Sequence, residues 1–235
     1  MKALPNIEYK KRSQNPTVDS DSSYFELPFY KTEDYFYNWD NTSAFANAVE
    51  RLVYRSNQYA RYISFLKEQL GLNHCQVLSN INDEDAPIEM HHGPILTLFD
   101  YATIMIDYHL YHDRKMTTFS IADLLIEEHF NNIIQVVMLS ETIHEEVHEN
   151  NIFLNKKHGF GDIEKFIKKY REGFSPDIIE KINKYIEFSY KVDSYDKNVL
   201  SLEQCVKKWI KPREDTNGYP VNSIHGDDRS SFSGS

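Results

Sequence analysis

Two stretches decide the reading of this chain: Ile88-Glu89-Met90-His91-His92-Gly93-Pro94 and Gln135-Val136-Val137-Met138-Leu139-Ser140-Glu141-Thr142-Ile143-His144-Glu145-Glu146-Val147-His148. The first lies in a predicted strand over 88–95, which Gly93 and Pro94 bring to an end. The second opens in a β-branched run over 133–139, hence a second strand, and continues as a helix from Ser140, a capping residue, to about Glu149. Successive strand residues point to opposite faces, so His91 and His92 do not easily share one role unless the strand ends or twists there, and Gly93 and Pro94 indicate such an end. The four-residue step from His144 to His148 puts both imidazoles on one helix face, the spacing by which a helix offers two ligands to one metal ion. One of the strand histidines then completes a three-imidazole site, while the other faces whatever that site acts on. Such a set supports hydrolysis. A divalent ion polarises a phosphoryl oxygen and stabilises a leaving oxygen, and a neutral imidazole takes a proton from water.

Working outward, residues 75–81 read as a further strand, which the turn-forming residues 82–87 join to 88–95 as a hairpin. Residues 44–70 read as one long helix. Its apolar positions, among them Phe45, Val49, Leu52 and Val53, recur at steps of three and four, and Gly71 supplies its stop. Residues 97–112 and 118–130 are apolar helices inserted between the two histidine stretches. Amphipathic helices follow over 162–172, 176–192 and 201–210. The fold class is therefore α+β, mostly helical, with a small strand–strand–helix core and inserted and flanking helices. Four segments result: an irregular aromatic-rich arm over 1–43, the core with its first helix and helical insertion over 44–158, a basic helical extension over 159–211, and a disordered tail over 212–235.

The chain has 235 residues, a net charge of −10 and two cysteines. The acidity argues against a protein that wraps nucleic acid along its whole surface, because phosphate affinity rests on Lys and Arg. The charge is uneven, however. Residues 1–150 hold 11 basic and 23 acidic side chains, whereas residues 151–213 hold 14 and 9. Lys165, Lys168 and Lys169 in that extension are the candidate phosphate contacts. Cys75 and Cys205 make no disulfide framework, so a cytoplasmic setting is the default. No run approaches the roughly 18 apolar residues of a membrane span, and no apolar run follows the basic residues near the N-terminus, so neither membrane span nor signal peptide is expected.

The two quoted stretches together resemble the ββα-metal core of HNH nucleases, the His-Me finger superfamily. They are closest to the branch typified by bacterial DNase toxins, which uses three histidines. The likeness covers about residues 75–150. It implies that His91, His144 and His148 hold one divalent metal ion (zinc, nickel, manganese or magnesium), that His92 activates water, and that Gln135 stands where the family carries the Asn that orients the base. The wider chain also resembles uncharacterised proteins of tailed bacteriophages, which implies the host cytoplasm as its setting.

These resemblances imply a metal-dependent endonuclease that hydrolyses DNA phosphodiesters, with weak or partner-assisted DNA contact and a possible protein partner at the aromatic arm. Two rival readings stand beside it. One is a non-catalytic interaction or structural protein of phage development on an HNH-derived scaffold, favoured by Gln135, by the acidic body and by the arm. The other is a small-molecule metallohydrolase built on the same ion, which requires a closed apolar pocket.

Overall fold

A computed structural model describes residues 30–211. The alternation and periodicity above place the elements as follows: α1 (Glu33–Phe36), α2 (Trp39–Tyr54), α3 (Asn57–Glu68), β1 (Ile88–His92), α4 (Leu98–Tyr111), α5 (Thr118–Phe130), β2 (Val136–Ser140), α6 (Glu141–His148), α7 (Ile163–Lys169), α8 (Pro176–Val192) and α9 (Lys197–Trp209). The fold is α+β and mostly helical, as the sequence indicates.

The only sheet among the described residues is the antiparallel pair β1–β2, in which His91 lies opposite Val137 and His92 opposite Val136. The expected hairpin does not form. Residues 75–81 make turns and an isolated His74–Asn82 bridge, and β1 pairs across the chain instead. Gln76 explains why this segment still lies beside the sheet. Its backbone N–H donates to Met138 O, and its side-chain Oε1 accepts from Met138 N–H at 2.6 Å, so the segment covers the outer edge of β2. Phe160 covers the same edge lower down through two bonds with Val136. With both faces and its outer edge covered, β2 is buried at all five positions.

The single long helix expected over 44–70 is two helices. The chain breaks at Arg55 and Ser56, where the Ser56 hydroxyl accepts from Gln58 N–H and starts α3 afresh. Gly71 ends α3 in the left-handed region at φ +70°, as its position predicts. The arm differs as well. Residues 33–36 and 39–43 are helical, with Asn38 between them capping α2, and the Tyr35, Phe36 and Phe45 rings pack edge to face. The rest of the arm, 1–29, and the tail, 212–235, lie outside the described residues.

One hydrophobic core runs from Phe45 to Ile210 and takes in every helix from α2 to α9. The C-terminal helices join it through the Phe166 ring against Tyr101 at 4.7 Å and an ion pair from Lys181 on α8 to the capping carboxylate of Asp100 on α4. The buried Glu128 carboxylate of α5 gathers Lys169 Nζ at 2.5 Å, Tyr170 Oη at 2.5 Å and Asn131 Nδ2 at 3.1 Å. Gly173 lies where a helical turn over Arg171–Gly173 crosses α4, and a Cβ there would sit 2.1 Å from the Ile104 carbonyl oxygen. Backbone cannot give way as a side chain does. Gly173→Ala is therefore expected to cost about 1–3 kcal/mol of stability, read as a lower midpoint in urea denaturation.

Candidate metal centre

Strand alternation sorts the residues of β1. Ile88, Met90 and His92 face the helical core, and Glu89 and His91 face α6. α6 follows β2 directly and presents His144 and His148 one turn apart toward the same space. The three ligand nitrogens of His91, His144 and His148 all lie within 4.8 Å of one another. The ring centroids of His91 stand 5.1 Å from those of both helix histidines, and His144 Nε2 lies 3.0 Å from His148 Nε2. Four-coordinate ions with bonds near 2.1 Å hold nitrogens roughly 3.4 Å apart, so small rotations close this trio around one ion. Gly93 leaves the room that His91 needs, since a Cβ at that position would sit 2.8–2.9 Å from its imidazole.

The electrostatics suit a metal. Burial, then the neighbouring His144 and His148, holds the His91 pKa down at about 4. Partial burial lowers His148 as well. Both rings are then neutral at pH 7 and keep the lone pair that coordination needs. Beside them, Glu89 Oε2 lies 2.5 Å from His144 Nδ1. As a donor set, three imidazoles arrayed on two elements around one point fit a divalent transition ion.

His92 does not join this set. Its Nε2 lies 2.9 Å from Nε2 of His129 on α5, inside the core. His129 Nδ1 donates to the Leu125 carbonyl at 2.6 Å, so its Nε2 is the acceptor and His92 Nε2–H is the donor. Tyr59 stacks on His92, Tyr54 meets its edge, and Tyr62 meets the edge of His129. Burial depresses the pKa of both histidines, that of His129 to about 4. A side chain 6% exposed, with Nε2 committed to a neighbour, is not placed to draw a proton from a water beside the three-histidine cluster.

Gln135 makes no bond to His92 either. Its backbone N–H donates to Tyr101 Oη, its Nε2 donates to Lys156 O at 3.4 Å, and its side chain packs under Gly159. The three lysines proposed for phosphate have internal partners: Lys165 pairs with Asp162, Lys168 lies over the Trp209 ring, and Lys169 binds Glu128.

Of two residues that matter here, Glu89 is readable from sequence as a partner for a ligand imidazole, with an ordinary surface strand Glu as the commoner reading, and His129 is not readable as functional. His129 is one of several histidines at helical positions, and only tertiary packing brings it to His92 on β1. Glu89 carried a usable signal, because it is two residues from His91 and so on the same strand face. Among the described residues, no helix is long and apolar enough to cross a membrane.

No curated protein and no solved structure matches this chain. A family model described as Bacteriophage G278-like virion protein matches residues 5–213. That match overturns the endonuclease expectation, because the family is described as a virion protein and nothing in it indicates nuclease activity. It bears out the bacteriophage setting. Matched over most of its length, the chain belongs to the bacteriophage G278-like virion protein family.

Proposed function

We propose that this protein is a non-catalytic structural or interaction component of the phage particle, in which His91, His144 and His148 hold one divalent metal ion on an HNH-derived scaffold. The observation that supports this reading most directly is the position of His92. The residue in the place of a water-activating base is bonded to His129 inside an aromatic cage, on the opposite face of β1 from the trio. The ion then acts as a clasp. α6 has Ile143 as its one buried residue, and a bond from each of its two histidines through the ion to His91 fastens it to the sheet.

The test is to purify particles by density gradient from infected cells and to quantify the chain by mass spectrometry. The expected result is a fixed copy number per particle that survives washing in high salt. Particles that lack the chain would sink the structural reading. Elemental analysis of the purified full-length protein is expected to give about one transition-metal equivalent per chain, lost in a His144→Ala, His148→Ala variant.

A further inference from the structure

Resting on the metal reading above, the geometry points to Glu89 as a positioning residue: its carboxylate holds His144 as the Nδ1–H tautomer, turns Nε2 toward His91 and His148, and so fits the site to a nitrogen-preferring transition ion. A carboxylate only accepts, so the proton in the 2.5 Å contact with Glu89 belongs to His144 Nδ1. The Nε2 of His144 is left with its lone pair, and it faces His148 Nε2 at 3.0 Å. In the metal-free protein the proton between those two nitrogens is therefore on His148. When an ion enters, that proton moves to His148 Nδ1, and both helix histidines offer bare Nε2 atoms. The exchange shifts a tautomer and needs no net loss of a proton.

The placement follows from the register of β1. Glu89 and His91 stand on one face of the strand, so the same element supplies one ligand and the group that orients a second ligand on α6. Glu89 is spent on the imidazole, which leaves a donor set of three nitrogens. Such a set favours zinc, nickel, cobalt or copper over magnesium or manganese, which prefer oxygen.

Three variants of the full-length protein separate the possibilities. In chelator, nitrogen-resolved imidazole spectra of wild type are expected to show His144 protonated at Nδ1. Glu89→Ala should shift it to the ordinary Nε2–H form, and Glu89→Gln, whose amide oxygen still accepts, should restore Nδ1–H. Competitive titration with Zn²⁺ is expected to show roughly 10–100-fold weaker binding in Glu89→Ala, with partial recovery in Glu89→Gln. Cobalt absorption spectra of the loaded proteins should change in Glu89→Ala.

An unchanged His144 tautomer with zinc affinity within twofold of wild type in Glu89→Ala would overturn the inference while leaving the metal reading intact. Magnesium binding as tight as zinc in wild type would overturn the selectivity. Failure of wild type to bind any transition ion overturns the metal reading itself, and His148→Ala provides the zinc-free baseline. Glu89 is exposed, and thermal melts in chelator check that each variant is folded.

Discussion

On the proposed metal reading, zinc is expected to raise the Tm of the wild-type protein and His148→Ala to abolish that rise. An ion that binds only the native state stabilises by about 4 kcal/mol when its free concentration is a thousand times Kd, which for a chain of this size raises Tm by roughly 10 °C. Removing one of three ligands weakens binding enough for the increment to vanish at the same zinc concentration. In chelator the variant should melt close to wild type, because His148 is exposed and the core does not rest on it. Paired melts with zinc and with chelator read both quantities. A variant that keeps its zinc shift would show that the ion binds elsewhere.

The second large effect is acid destabilisation. In the unfolded chain a histidine takes up a proton as the pH falls through about 6.5. In the folded protein burial holds His129 neutral down to about 4, and His92 beside it shifts in the same direction. Between those two pH values the unfolded state binds more protons, so stability falls as pH falls. Their contribution is fully present above pH 6.5 and is lost on the way down to pH 4. For His129 alone the loss is about 3 kcal/mol. His91 adds a change of the same sign in the metal-free protein.

Urea denaturation at a series of pH values, in chelator throughout, measures the slope. A His92→Phe, His129→Leu variant removes the pair together, so no buried nitrogen is left unpartnered, and its slope in this window should be much shallower. An equally steep slope would place the acid sensitivity in other groups.

Much of the fold was legible because it rests on local rules. The 3.6-residue period marks α4, α5 and α8, Gly71 ends α3, and strand alternation separates His91 from His92 before any packing is considered. The four-residue step between His144 and His148 located the helix half of the trio for the same reason. What was not legible depends on partners distant in sequence. The segment at 75–81 has strand-like composition, yet the position opposite β1 is taken by β2, leaving Gln76 to bond its edge. The break between α2 and α3 lies in a continuous apolar pattern and comes down to one serine hydroxyl. The nuclease expectation failed at a comparable point. Ligand spacing is written in the sequence, but whether His92 reaches water depends on how Tyr54, Tyr59 and His129 close over it.

The sorting of β1 also bears on how the strand finds its alignment during folding. Adjacent histidines do not distinguish the native pairing from one shifted by a single residue, because after such a slip an imidazole still occupies one of the two imidazole positions. Glu89 does distinguish them. A slip in either direction carries its carboxylate to the inner face, into the place of Ile88 or Met90, where no imidazole from α6 awaits it. The residue that holds His144 is thus also the one that makes misalignment costly, and strand pairing and the ligand sphere are checked by the same side chain.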